Sequence, residues 1–397
     1  MSAVASIRGG AAHAVVPSIA LGAQAERKAL GARVWTIELA FAVLTLLGLA
    51  LVWSASSAMA LARHGSSSHF FVKQLVWALL ACVGFFAASR TPLPWIRRGA
   101  GLALPLLSLA LVYLLIPGVA GERGGATRWI VFHGVSLQPG EPTKVALVLF
   151  LARWLARRPA PSGKQVLEAL AIAAVPAGLV YRQPDLGTAV VLTASALAML
   201  YLAGARPLHV AGVVLAALPL LPLALIGHAY RWHRLIAFWN PWENARTLGY
   251  QIVQSFVAFG SGGVFGRGLG GGAQKLFYLP ESHTDFVFAV LGEEMGFLGV
   301  VCVATLFLLL VVQGSRVALA ARDRFGFLVA AGLTALIGLE AAANMAVTLG
   351  IVPTKGLALP FLSYGGSALL SSAIALGFVL AIDRDSALGG AGGEDSP

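Results

Sequence analysis

The chain is expected to be an all-α integral membrane protein, a polytopic bundle of about ten transmembrane helices, on three observations. Apolar residues make up 58% of its 397 residues and charged ones 11%, with a mean hydropathy of +0.82, more apolar surface than one soluble core can hide. About ten windows approach the roughly 20 apolar residues that a spanning helix needs. The short polar/apolar alternation of an outer-membrane barrel is absent.

In order, the spans are expected near 35–59, 71–89, 99–117, 142–156, 166–182, 187–204, 208–227, 284–313, 326–349 and 366–382, with the fourth and fifth the weakest in hydropathy. The apolar run after Arg33 ends in "SASSAMALA", which has the look of a signal-peptidase site, but run and leader are both too long for that, so a retained first span is expected. Residues 1–34 then form a cytoplasmic tail, 35–383 the membrane domain and 384–397 a Gly-rich, disordered tail. Placing both termini inside puts Arg90, Arg97, Arg98, Arg153, Arg157, Arg158, Lys164, Arg206, Arg316, Arg322, Arg324 and Arg384 in cytoplasmic segments, and short-loop cations are retained on that side. The two longest connections, 118–141 and 228–283, the latter between spans seven and eight, fall outside.

A net charge of +11 is scattered over loops rather than gathered on one face, which points to anionic membrane lipid and away from nucleic acid. Cys82 and Cys302 both fall within spans and suggest neither a disulfide nor a metal site. The outer segment 231–258, with Trp232, Trp239, Trp242 and Tyr250, is expected to lie along the headgroup zone, as an anchor or as one wall of a groove open to lipid.

Several outer stretches carry polar groups with two readings each. "FGSGGVFGRGLGGGAQKLFYLP" (259–280) lacks the spacing of a P-loop; its glycines serve turns, or bare backbone joins Arg267 and Lys275 in binding an anion. Ser282-His283-Thr284-Asp285 fits a capping box at the start of the eighth span, which leaves Glu281, His283, Glu293 and Glu294 unexplained. Glu141 and Lys144 stand one helical step apart, as an ion pair would. Asp185 follows a proline where an Asx turn is expected. Glu340 and Asn344 lie at i and i+4 inside the ninth span, where polar groups are costly and usually functional or paired. Together these residues describe a charged cavity open to the outer leaflet.

The stretches "RWI" with "LQPGEPTK", "QPDLGTA", "GYQIVQS", "FGRGLGGGAQKLFYLPESHTDFVFAVLGEEMGFLG" and "PTKGLALPFLSYGGS" resemble the SEDS family (shape, elongation, division and sporulation) from about residue 35 to 383. Lys355 in "PTKGL" is more similar to the division branch than to the elongation branch, while Gly140 and Ala346 depart from the usual Ser and Gly. The resemblance implies a peptidoglycan glycosyltransferase of the bacterial inner (cytoplasmic) membrane, multi-pass and at the division septum. It would polymerise lipid II into undecaprenyl-linked glycan at the periplasmic face, with a cognate class B penicillin-binding transpeptidase (FtsI-like) and other division-complex membrane proteins as partners. The family's essential aspartate falls on Asp285, and its other motif residues on Glu141, Lys144, Asp185 and Lys355; Arg128, Arg267, Lys275 and His283 are candidates for binding substrate or supporting the site.

Inverting transfer onto a sugar hydroxyl needs one general base, for which a carboxylate serves, and no carboxylate nucleophile, which would give retention by analogy with glycosidases. Diphosphate leaves readily, so cations suffice opposite it: Lys144, Arg267, Lys275 and Lys355, with Mg²⁺ or Mn²⁺ as an optional aid and no obligatory cofactor. A lipid II flippase and a non-catalytic division scaffold are the alternatives. A flippase would need polar residues continuing to the inner face, where the sequence has few.

Overall fold

The computed structural model describes residues 12–119, 121–123, 126–132, 135–217, 238–247, 249–276, 278–354 and 356–391. Helices dominate: α1 (Ala12–His64), α2 (His69–Ser89), α3 (Leu93–Gly99), α4 (Ala103–Tyr113), α5 (Gly140–Leu155), α6 (Gly163–Arg182), α7 (Leu186–Leu202), α8 (Pro207–Ala217), α9 (Tyr250–Gly262), α10 (Val287–Leu319), α11 (Arg324–Thr348) and α12 (Gly366–Ala391). Each of the ten expected spans overlaps one of these helices. Among the described residues six are long and apolar enough to cross a membrane, or seven if α3 and α4, bent by 41° at their junction, count as one. The seventh span runs from α8 into residues outside the described set, and α5 and α7 are shorter, at 16 and 17 residues.

Short helices persist here because they are buried. Leu147, Leu151 and Leu155 of α5 and Leu192, Ala196 and Met199 of α7 are fully enclosed by neighbouring helices, so α5 and α7 form the centre of the bundle with α11 and α12 against them. The outer helices present Leu, Val and Phe outward, among them Leu39, Leu46, Leu79, Val83, Leu106 and Leu308, the surface that lipid covers. Helix α12 continues through Ala391, past the boundary at 383 suggested by hydropathy.

The 118–141 connection contains a small antiparallel sheet of order β1-β2-β3, with β1 Gly121–Arg123, β2 Ala126–Phe132 and β3 Val135–Leu137. Its central strand, "ATRWIVF", is rich in β-branched and aromatic residues, and it carries Arg128 to the mouth of the bundle. In the longer connection, α9 packs on α10. Trp239 and Trp242 are exposed there, as a headgroup-level segment requires, while residues 228–237 lie outside the described set.

Helix α10 is broken at Gly296, with φ 67° and ψ −166°. Backbone from the glycine-rich stretch fills the break: Phe297 N–H donates to Gly263 O (2.9 Å), Leu298 N–H to Val264 O (3.1 Å), and Arg267 and Gly268 N–H donate to the carbonyls of Glu293 and Glu294. A side chain at 296 would meet the backbone of Val264 and Gly266 within 2.3–2.7 Å, so a residue without Cβ is needed there.

Candidate active site

Asp285 lies two residues before α10, in a turn closed by the N–H groups of Thr284 and Phe286 on Glu281 O (3.2 Å each). Ser282 does not cap α10 as the sequence suggests. Helix α10 starts at Val287 with Phe286 as N-cap and no side-chain cap, and the Ser282 hydroxyl donates instead to Ala55 O of α1 (3.4 Å). Glu281, at φ 54°, bends the chain into its own turn before helical geometry begins. Ser282 is therefore not the N-cap of α10.

Two contacts pin the turn from inside. Asn344 Nδ2 donates to Asp285 O (2.9 Å) and to Leu357 O (2.6 Å), joining the aspartate's backbone to the "PTKGL" segment. Tyr364 N–H donates to His283 O (2.8 Å). Residues 363–365 are held in turn by Gln74 of α2, whose Nε2 donates to Ser363 O (3.2 Å) while its Oε1 accepts from Gly365 N–H (3.3 Å). The Asp285 carboxylate, half-buried, faces Gly356: a Cβ built there would stand 2.9 Å from Oδ2. Lys355, the adjoining residue, lies outside the described residues.

Gly356 also abuts the start of α7, where a Cβ on Gly187 would be 3.2 Å from Gly356 O. Asp185, buried, caps α7 by accepting from Thr188 N–H (3.0 Å) and Thr188 Oγ1 (2.9 Å), and it accepts from Gln138 Nε2 (3.1 Å). Arg128 Nη1 completes its shell at 2.8 Å. The Asx reading of Asp185 is thus half the account, since the same carboxylate fastens the sheet to the bundle. Asp285, Gly356, Asp185 and Arg128 form one neighbourhood at one end of the molecule.

Glu141 and Lys144 sit deeper. Lys144 Nζ pairs with Glu141 (2.9 Å) and with Glu340 of α11, and the three residues are 5–8% exposed. The i,i+3 pair foreseen on α5 is present, and Glu340 makes it a triad that ties α5 to α11. Such a buried triad survives because each charge keeps a partner.

Lys275 and Arg267 belong to a third group. Lys275 Nζ, buried, binds Glu294 Oε1 (2.8 Å) and Ser54 Oγ (2.7 Å). Glu293 accepts from the N–H groups of Ala273 (2.8 Å) and Gln274 (3.1 Å), with Arg267 Nη1 at 3.7 Å. Bare N–H groups of the glycine-rich stretch are therefore directed at a carboxylate of the chain itself. Arg267 is 45% exposed.

His283 packs between Phe70 and Tyr364, at 5.1 and 5.5 Å between ring centroids. Burial lowers its pKa, the nearby Glu281 carboxylate opposes that shift and the Arg63 charge adds to it. Among the described residues, no three His, Cys, Asp or Glu side chains are grouped to hold a metal ion. Gln74, Thr188 and Ser54 carry little signal in the sequence; Gln74, beside Lys73 in the largely apolar "HFFVKQLVWALL", is the most visible of them.

Known proteins share the sequence and the fold. Residues 34–388 match the FtsW/RodA/SpoVE family, described as "Cell cycle protein". The chain is 43% identical to a probable peptidoglycan glycosyltransferase FtsW of Trichlorobacter lovleyi, covering 89% of this chain and 93% of that one. It is 44% identical to a protein of the same name from Alkalilimnicola ehrlichii, covering 89% and 90%. Among solved structures, a chain from a study of polymerization and crosslinking by a peptidoglycan synthase complex superposes with a TM-score of 0.75 at 28% identity, covering 88% of this chain and 97% of that one. The Rod shape determining protein RodA of Thermus thermophilus gives 0.66 at 27%, covering 88% and 96%. The sequence motifs, the helical bundle and these relatives agree: the chain belongs to the FtsW/RodA/SpoVE family of cell cycle proteins.

Proposed function

We propose that this chain is a peptidoglycan glycosyltransferase of the bacterial inner membrane, polymerising lipid II at the periplasmic face during septal wall synthesis, with Asp285 as general base. The observation that carries the site is the half-buried Asp285 carboxylate at the mouth of the bundle, facing Gly356 in a turn whose Asp285 and His283 carbonyls accept from the Asn344 side-chain amide and Tyr364 N–H. The relatives' names carry the activity.

Asp285 takes the proton from the attacking O4 hydroxyl of N-acetylglucosamine as that oxygen displaces diphosphate from the muramyl carbon, with inversion. Lys355, adjacent to Gly356 in sequence, and the exposed Arg267 are the cations assigned to the leaving diphosphate. Arg128, Asp185, Glu141, Lys144, Lys275 and His283 support the site by fixing the elements that carry it. Mg²⁺ or Mn²⁺ is an optional aid that would offset charge on the diphosphate, with no preformed site for it among the described residues. Residues 35–383 are the catalytic membrane unit, with both termini cytoplasmic. A class B transpeptidase is the proposed partner, since a solved relative comes from a synthase complex that coordinates polymerization and crosslinking.

The flippase alternative would use the polar residues inside the bundle. Around Glu141, Lys144 and Glu340, however, the open space is about 10 Å³, closed by Val145, Leu336, Ile337 and Ala375, enough for about one water and far from a disaccharide. The deciding experiment is glycan polymerisation from purified lipid II in detergent, with the cognate transpeptidase present and moenomycin silencing contaminating transglycosylases. Detergent removes sidedness, so polymer formed there needs no transport. No polymer with an active transpeptidase would return the flippase and scaffold readings.

A further inference from the structure

At the other end of the bundle lies a cavity of about 410 Å³ lined by Leu93, Pro94, Arg97, Arg98, Arg153, Arg157, Asp323 and Asp385. It is remote from Asp285. Asp323 caps the start of α11 and Asn344 stands near its far end, 21 residues away, or about 30 Å at 1.5 Å per residue. We propose that this cavity binds the phosphate headgroup of an anionic phospholipid in the leaflet opposite the catalytic one.

Four arginines face two carboxylates, leaving a surplus of two positive charges. Two of the four are engaged: Arg97 pairs with Asp323 and lies over the Phe325 ring at 4.8 Å, and Arg153 Nη1 donates to the α3 carbonyls of Arg97 (2.8 Å) and Arg98 (3.2 Å). Arg98 and Arg157, both exposed, have no carboxylate partner among the described residues. A partly built basic pocket with two free guanidiniums suits the planar, bidentate recognition of phosphate.

Lipid, rather than a soluble anion or an acidic peptide, follows from the surroundings. Trp95, 64% exposed, lies beneath Arg98 with its ring centroid 5.6 Å from the guanidinium, and Trp154 lies beneath Arg158 at 3.9 Å. Tryptophan at the rim marks headgroup level. From Leu102, four residues after Arg98, an exposed apolar stripe runs along α4 through Leu106, Leu109 and Tyr113, giving acyl chains a lane that begins at the charged pocket. Basic pockets between spanning helices are a recurrent headgroup site.

The test is native mass spectrometry of the full chain in detergent with phosphatidylglycerol, phosphatidylethanolamine or glycerol phosphate as probes. Wild type should retain phosphatidylglycerol about tenfold better than phosphatidylethanolamine. The Arg98→Gln/Arg157→Gln protein should lose that preference while its basal lipid II polymerisation is unchanged, which shows that it is folded. Asp385→Asn, which adds to the positive surplus, should strengthen retention several-fold, a gain that a misfolded protein could not show. Equal retention of the two lipids, or no change in the double variant, would overturn the proposal and leave an acidic protein segment as the occupant. Glycerol phosphate bound as tightly as phosphatidylglycerol would also overturn it, since the apolar stripe would then contribute nothing.

Discussion

At the level of single side chains, Asn344 joins the two segments that meet at Asp285, one amide nitrogen serving both backbone carbonyls. Asn344→Ala leaves those buried acceptors unpaired, a loss of about 1–3 kcal/mol, and frees the turn. We expect polymerisation to fall about tenfold with lipid II KM little changed, and the thermal midpoint to drop, measured by turnover and by unfolding in the same detergent. Gly356→Ala tests the opposing wall: its methyl would meet Asp285 Oδ2 at 2.9 Å, so the carboxylate must move and kcat should fall at least tenfold while the fold is kept. His283 supplies a pH signature. Its folded pKa lies below the ordinary value because of burial, so the unfolded chain takes up the proton first; stability is full above about pH 6.5 and declines as pH falls below it. His283→Phe should flatten that acid limb, read from thermal midpoints between pH 7 and 5. Asp285 was legible in the sequence because it stands in a long, ordered motif. Asn344 was visible only as a polar residue at membrane depth, since its partners are backbone carbonyls 59 and 13 residues away, and Gln74 was passed over because its partners are 289 and 291 residues distant.

At the scale of elements, the Glu141–Lys144–Glu340 triad sets how α5 meets α11. Removing Lys144 alone abandons two buried carboxylates, so Lys144→Ala should cost about 3–5 kcal/mol and show up as a large loss of folded protein. The Lys144→Met/Glu141→Gln/Glu340→Gln protein, with no charge left in the triad, should recover most of that stability, measured by detergent-resistant unfolding; recovery of fold without recovery of activity would place the triad in the reaction as well. Half of this was readable: the i,i+3 pair is local, while Glu340 joins it from 196 residues away. The capping box shows the converse error. The four-residue pattern was present, but Ser282 found a carbonyl on α1 and Glu281 turned the chain first. The sheet in 118–141 is not legible in the sequence because its strands are three, seven and three residues long, too short for periodicity to register against a membrane background.

Over the whole molecule, each expected span overlaps a helix of the described residues, while only six or seven of those helices are long and apolar enough to cross a membrane; α5 and α7 are shorter and largely packed against other helices. Hydropathy also could not show that residues from 128, 185, 285 and 356 meet at one end, 30 Å or so from the basic cavity at the other. That separation permits a lipid to be held in one leaflet while sugars are joined over the other. Asp285 is the base proposed for making the glycosidic bond. Its most direct test is to compare wild type with a folded Asp285→Asn protein, each with the cognate transpeptidase, for both lipid II binding and single-turnover polymerisation. The amide keeps the shape of the side chain and cannot accept the proton, so the account predicts lipid II bound within about threefold of wild type and polymer reduced at least a thousandfold, within the range attributed to general-base catalysis. Equal polymer from the two proteins would contradict it.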